Sequence, residues 1–423
     1  MEKSVLKQLI LEYQQMVTKV ELVQRDILLS DDFCYVLVGL RRSGKSYLLY
    51  QQIQQLVGKG HSLEEILYFN FEDDRLTGMT MQDLDALKTA YEEIFPHKPI
   101  FFLDEIQNIT GWEHFARRLA DQKYKVYITG SNARMLSMEI AGTLGGRYMI
   151  QPVFPYSFRE FLSASGIQLQ DNWLYSPQRI DVVRLFESYF RYGGLPEVQP
   201  IENIMKRQWL NNLYNKIFFG DILARFNIRN TIALKTLVRK IAESVKQPCS
   251  ISRLANIVSS TGTKTRMETI GDYIQYAEDS CLIFSIENYA AKIVEKMSNK
   301  KYYFMDNGLL NLFLFDPDTS LLENIVAIRL FSMYSDVCFF HDRFEVDFYL
   351  WEHATGIQVS LALTDEATRK REIDGLLKLA KRHDLRNMLI ITKDERETID
   401  TTEGVIEVVP IWQWLLTSPP YLN

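Results

Sequence analysis

The chain begins with a polar helical stretch and then alternates short, largely apolar runs with segments of helical spacing. The runs are FCYVLV at 33–38, ILYFNF at 66–71, IFFL at 100–103 and KVYIT at 125–129, with a fifth strand expected around 148–151. Uninterrupted apolar runs of this length mark strands buried on both faces. Residues 47–57 place Leu48, Leu49, Ile53 and Leu56 on one helical face, and 81–94 repeats that spacing. The pattern predicts a parallel α/β sheet in the N-terminal third.

Glycine punctuates the end of the first run. The chain reads Gly39-Leu40-Arg41-Arg42-Ser43-Gly44-Lys45-Ser46-Tyr47, a G-x-x-x-x-G-K-S sequence set between a strand and a helix. Glycines let a backbone wrap a phosphate with its N–H groups turned inward, and the helix start adds about half a positive charge. Lys45 is placed to reach β- and γ-phosphates, and the Ser46 hydroxyl to ligate Mg²⁺. The third run ends in Asp104-Glu105, where open α/β sheets place their ligands. Asp104 is expected in the Mg²⁺ shell, and Glu105 as the base that polarises water. The fourth run leads to Gly130-Ser131-Asn132 at the same edge. Arg147, after Gly145-Gly146, reads either as an arginine finger or as a surface salt-bridge partner.

Composition narrows the alternatives. Across 423 residues, 47% are hydrophobic and 24% charged, which excludes a disordered chain or a rod and suggests two to four domains. No apolar run approaches the roughly 18 to 20 residues that cross a bilayer, and Met1-Glu2-Lys3 does not open a signal peptide. A cytoplasmic protein without membrane contact is expected. Four scattered cysteines without C-x-x-C, and six histidines without H-E-x-x-H, indicate neither a disulfide framework nor a zinc site. The net charge of −6 hides an asymmetry: residues 201–301 carry sixteen Lys/Arg against nine Asp/Glu, or +7, leaving −13 elsewhere.

The phrases GLRRSGKS, FFLDEIQ, YITGSNARML, TLGGRY and FPYSFREFL, in this order, resemble prokaryotic ATPases of the AAA superfamily that carry a C-terminal domain of unknown function. RYGGLPEV, FFGDILARFNI, YYFMDNGLL, LLENIVAIRL and EVDFYL extend the resemblance over nearly the whole chain. It implies that Gly39, Gly44, Lys45 and Ser46 form the Walker A loop and that Asp104 and Glu105 are the Walker B pair. Asn132 then matches the sensor-1 position, Arg147 the Gly-Arg element, and ATP with Mg²⁺ the ligand. An arginine finger acting on a neighbouring copy would require a homo-oligomer.

Beyond the α/β domain (1–154) and a helical lid or connector (155–231), residues 232–304 read as helix, helix, turn, helix and two strands around a charged loop. That order predicts a winged helix-turn-helix. Lys264, Thr265 and Arg266 would open a recognition helix on double-stranded DNA while Lys292 and Lys296 meet phosphates; winged helices equally serve as protein-docking modules. Residues 305–423 resemble an α/β restriction-endonuclease-like core, with Glu323 on a helix and Asp347 on a strand. The next strand carries Gln358 and Ser360 where such nucleases need a carboxylate and a lysine, so an inactive nuclease-like domain is expected. Migration of the lysine role to Lys370 is the exception weighed. Three function classes remain: an ATPase switch acting on DNA, a nucleotide-dependent protein-interaction switch, and a metal-dependent nuclease.

Overall fold

The computed structural model describes residues 1–131, 142–262 and 265–417. Contacts divide the chain into two compact units, one comprising 1–154 with 279–281 and the other 155–278 with 282 onward.

In the first unit, α1 (Lys3–Val17) precedes β1 (Cys34–Val38), α2 (Lys45–Gly58), β2 (Ile66–Asn70), α3 (Met81–Glu92), β3 (Ile100–Asp104), α4 (Trp112–Asp121), β4 (Val126–Gly130) and β5 (Tyr148–Pro152). The strands form one sheet in the order β2-β3-β4-β1-β5, and every pairing is parallel. The apolar runs are buried because helices cover both faces of such a sheet. Phe101 and Phe102 are fully buried, and the Phe102 ring stacks on Tyr127 at 4.7 Å. Each such side chain contributes about 1.5–3 kcal/mol of burial. The order places β4 between the strand that feeds the glycine loop and the strand that ends in the acids.

The second unit begins with α5 (Phe158–Ala164), α6 (Gln178–Tyr192), α7 (Asn203–Lys216), a π-helix (Ile217–Ala224) and α8 (Thr231–Glu243). Then follow β6 (Cys249–Ser250), α9 (Ile251–Ser260), α10 (Met267–Asp279), β7 (Ile283–Asn288), α11 (Ile293–Ser298), β8 (Asn299–Phe304), α12 (Asn307–Asn311) and α13 (Asp318–Met333). The chain ends with β9 (Val337–His341), β10 (Glu345–Leu350), β11 (Thr355–Val359), α14 (Glu366–His383), β12 (Asn387–Thr392), β13 (Glu397–Thr401), β14 (Gly404–Pro410) and α15 (Ile411–Trp414).

Strands β6 to β14 belong to one mixed sheet, ordered β13-β14-β12-β11-β10-β9-β7-β8-β6. The two strands expected to form a wing, β7 and β8, are thus hydrogen-bonded into the C-terminal sheet, where β7 pairs with β9 at Glu287↔Cys338 and Asn288↔Phe339. The expected boundary at 304 falls at the end of β8 within this sheet, and the one at 231 within the second unit. A two-stranded hairpin is marginal alone, and joining the larger sheet supplies the packing that β7 lacks.

A buried knot joins two of the phrases singled out in the sequence. Asp306, 2% exposed, accepts hydrogen bonds from the backbone N–H groups of Gly194 and Gly308, each at 2.8 Å. Gly193, at φ +77, has no room for a side chain: a Cβ there would lie 2.1 Å from Asp306 Oδ1. RYGGLPEV and MDNGLL are therefore halves of one structural clasp. Among the described residues no helix is long and apolar enough to cross a membrane.

Candidate functional site

The site begins where β1 runs out. The backbone at Gly39 passes so close to residue 153 that a Cβ would stand 2.0 Å from the Val153 carbonyl oxygen. Ser43 N–H turns back to Leu40 O at 3.1 Å, Gly44 takes the left-handed conformation at φ 95, and α2 starts without a side-chain cap. Its first N–H groups therefore face outward with the positive end of the helix dipole, an arrangement suited to an anion. The Ser43 side chain is fully buried and its Oγ has no hydrogen-bond partner. Arg25 braces the loop from beneath, donating to Ser43 O at 3.0 Å and Phe154 O at 2.8 Å.

Lys45 is 4% exposed. Its Nζ donates to Gly39 O at 3.1 Å and Leu40 O at 3.2 Å, and lies 3.6 Å from Glu105 Oε1. The other Glu105 oxygen accepts from the Gln107 side-chain amide, which also reaches Ser131 Oγ at 3.4 Å. Burial works to raise the Glu105 carboxyl, but Lys45, Gln107, Arg41 and Ser131 outweigh it and hold the group below the usual range. Arg41 also pairs with Glu72 at 3.1 Å. Arg42 and Tyr47 are exposed, Arg42 at a left-handed φ of 64.

Asp104 is buried and receives two hydroxyls. Tyr68 donates to Oδ2 at 2.6 Å and Thr129 donates to Oδ1, while the nearby Ser46 hydroxyl favours its charged form. Thr129 Oγ1 in turn accepts from Glu105 N–H at 2.8 Å, which fixes the acid pair to β4. Burial, reinforced by Glu105, pushes the Asp104 carboxyl above its ordinary value despite these donors. A serine hydroxyl beside a carboxylate is a hard-oxygen set that fits Mg²⁺, which takes one or two protein oxygens and completes its shell with phosphates and water. Consistently, the described residues contain no group of three or more His, Cys, Asp or Glu arranged to hold a metal unaided.

Two further residues were expected at this site. Asn132 lies outside the described residues. Arg147 immediately precedes β5, whose Tyr148 registers with Cys34 at the start of β1. It therefore stands at the opposite end of the strands from the glycine loop, about 16 Å away at 3.3 Å per residue. Its Nε donates to Asp121 and its Nη1 to Gly145 O at 3.2 Å. In this register the Arg147 guanidinium, paired with Asp121 and Gly145, does not reach the glycine loop of its own chain.

In the second unit, Lys264 also lies outside the described residues. Thr265 and Arg266 precede α10, with Thr265 tied to Ser259 Oγ at 3.2 Å. Lys292 is exposed, whereas Lys296 sits 5.8 Å over the Tyr289 ring and the neighbouring Lys300 pairs with Glu287 at 3.5 Å.

Glu323 and Asp347 come together with Glu345 around a residue the sequence did not single out. Lys301, fully buried on β8, places Nζ 3.2 Å from Glu323, 3.1 Å from Glu345 and 3.2 Å from Asp347. Burial opposes its charge, yet the carboxylates hold the ammonium well above its ordinary value. Burial raises Glu323, with Lys301 opposing. Tyr303 donates to Glu323 at 2.8 Å. Gln358 accepts from Asp347 N–H at 2.9 Å, and Asp347 Oδ2 accepts from Val359 N–H at 3.0 Å. The cluster borders a cavity of 610 Å³. Lys370, the position considered for a migrated lysine, is not among the residues that line this cavity.

Comparison with known proteins places these features in a family. An uncharacterized protein of Methanocaldococcus jannaschii is 32% identical over 98% of this chain and 96% of its own length. One from Haemophilus influenzae is 31% identical over 95% and 99%. The chain belongs to their family. Within it, residues 31–162 match the model of an AAA domain, and 183–319 that of a domain of unknown function. The N-terminal unit is a P-loop AAA-type domain. Among solved structures, the Walker-type ATPase of Pyrococcus abyssi aligns over 74% of this chain and 95% of its own (TM-score 0.40, 13% identity), and Cdc6p of Pyrobaculum aerophilum over 69% and 87% (TM-score 0.27, 12% identity). Both likenesses are too distant to carry a functional inference.

In this family member, sequence reasoning found the loop and the acids but missed their supports: Arg25, Tyr68, Thr129 and Gln107. Gln107 stands two residues after Glu105 and was readable as a near neighbour. Tyr68 was hidden inside an apolar run.

Proposed function

We propose that the chain binds ATP with Mg²⁺ at the loop 39–46 and hydrolyses it to ADP and phosphate. The observation that carries the reading is the convergence, at the uncapped start of α2, of Lys45 with Glu105 and of Ser46 with Asp104. Phosphate oxygens would draw the Lys45 ammonium away from the Gly39 and Leu40 carbonyls and from Glu105, and the Ser43 and backbone donors would complete the cradle. With Lys45 withdrawn, the main influence lowering the Glu105 carboxyl is gone, and Glu105 becomes the stronger base. Ser46 and Asp104 would hold Mg²⁺, which would supply positive charge against the negative charge developing on the phosphates. Glu105 takes the proton of the attacking water as oxygen bonds to the γ-phosphorus, and the bond to the β–γ bridging oxygen breaks with its electron pair leaving on ADP.

The second unit is proposed as the mechanical output. Gln358, engaged with the Asp347 N–H and the Glu345 carbonyl, puts a neutral amide where a nuclease would need a second carboxylate, which supports a non-cleaving domain. Two outputs compete: contact with duplex DNA, supported by the +7 balance of 201–301, and docking of a protein, favoured by the engagement of Lys296 and Lys300 with Tyr289 and Glu287. Phosphate release measured with and without duplex DNA tests the whole reading. Hydrolysis that requires Glu105 supports it, and DNA stimulation that fades steeply with salt selects the first output. Absence of hydrolysis under all conditions overturns it.

A further inference from the structure

The Asp104 carboxylate is reached by a chain of hydroxyls that no Walker motif contains. Tyr68 has a single phenolic proton, and it goes to Asp104 Oδ2 at 2.6 Å. The 3.1 Å contact between the Tyr50 and Tyr68 oxygens therefore has one possible direction, with Tyr50 donating and Tyr68 accepting. Tyr50 lies on α2, the helix that begins at Lys45, while Tyr68 lies on β2 and Asp104 ends β3. The relay thus ties the helix that carries the phosphate loop to the acid, through a strand that contributes no other group to the site.

The rings are held as firmly as the hydroxyls. Tyr68 is 1% exposed, with Tyr13 edge-on at 5.5 Å and Tyr50 at 5.3 Å. A carboxylate offers about four lone-pair positions. Tyr68 takes one on Oδ2 and Thr129 one on Oδ1, and together they fix the plane of the group.

Resting on the ATPase reading above, we propose that Tyr68, oriented by Tyr50, is a positioning residue that aims Asp104 at the Mg²⁺ shell and so sets how strongly Mg²⁺ tightens nucleotide binding. Asp104 acts on the nucleotide only through the cation, whereas the loop amides and Lys45 act on it directly. Loss of the Tyr68 hydroxyl must therefore appear in the Mg²⁺-linked part of the affinity and leave the Mg²⁺-free part intact.

The test measures a fluorescent ATP analogue binding to the full chain, with Mg²⁺ and with chelator, for the wild type, Tyr68→Phe and Tyr50→Phe. Thermal melting confirms that each variant is folded. Hydrogen bonds to charged groups are the strong class, so Tyr68→Phe should lose about tenfold or more of the Mg²⁺-linked tightening. Tyr50→Phe should move the same ratio less, because its hydroxyl acts through Tyr68. An unchanged ratio in a folded Tyr68→Phe protein that binds the analogue overturns the role, as does a loss of equal size with and without Mg²⁺. A wild type that fails to bind the analogue at all refutes the ATPase reading itself, a result distinguishable from either.

Discussion

Replacing Lys301 by Met removes an ammonium and keeps a chain of similar length. Lys301 is fully buried between Glu323, Glu345 and Asp347, and Glu323 is itself only 4% exposed. Deleting one partner of a buried ion pair leaves uncompensated charge and costs about 3–5 kcal/mol. The variant offsets part of this by protonating Glu323, which burial already raises. A carboxyl raised further in the folded state lends most stability at low pH and loses it as pH rises through the folded value. The deficit relative to wild type should therefore be smallest below about 7, the value to which Glu323 is already raised, and grow as pH rises above it. Denaturant unfolding followed by tryptophan fluorescence reads this, since Trp412 and Trp414 lie in the same unit as Lys301. Lys301→Met combined with Glu323→Gln should recover much of the loss, because a neutral pair needs no counter-charge. A deficit below about 1 kcal/mol, or one independent of pH, would refute the view of Lys301 as the resident cation of the cluster.

Other expectations are more local. Asp306→Asn turns a donor toward the Gly194 or Gly308 N–H and should cost about 2 kcal/mol. Burial pushes the Asp306 carboxyl up to about 6 from 3.8, so its contribution is fully present below 3.8 and fades as pH rises through about 6; the difference in melting temperature between variant and wild type should follow that window. Gly193→Ala forces a Cβ within 2.1 Å of Asp306 Oδ1 and should destabilise by at least about 2 kcal/mol, read by the same melts. Gln107→Ala frees one oxygen of Glu105; nucleotide affinity should persist while phosphate release falls about tenfold or more, and an equal loss of affinity would contradict an orienting role.

The placement of the loop 39–46 and of Asp104 and Glu105 was legible because it follows from a fixed local order: consecutive backbone amides, a lysine and a hydroxyl at one helix start, and acids where a buried strand ends. The parallel sheet was legible from unalternated apolar runs. The tyrosine relay was not, since Tyr68 in ILYFNF reads as core packing until its hydroxyl is seen beside Asp104. Arg147 illustrates a different limit: Gly-Gly-Arg before a strand does not say at which end of the sheet it lies, and the Cys34↔Tyr148 register decides it. Lys301 was read as part of a wing. Only the pairing of β7 with β9 brings that hairpin to the strands and helix that carry Glu323, Glu345 and Asp347, and no local spacing encodes such a join.

The central claim is a triphosphate site built on the loop 39–46 and completed by Asp104 and Glu105. Binding of ATP and release of phosphate, measured in parallel on the wild type, Lys45→Ala and Glu105→Gln, test it most directly. The account requires a wild type that binds and turns over, a Lys45→Ala protein that no longer binds, and a Glu105→Gln protein that binds without turnover. Two folded variants that bind and hydrolyse like the wild type would contradict it.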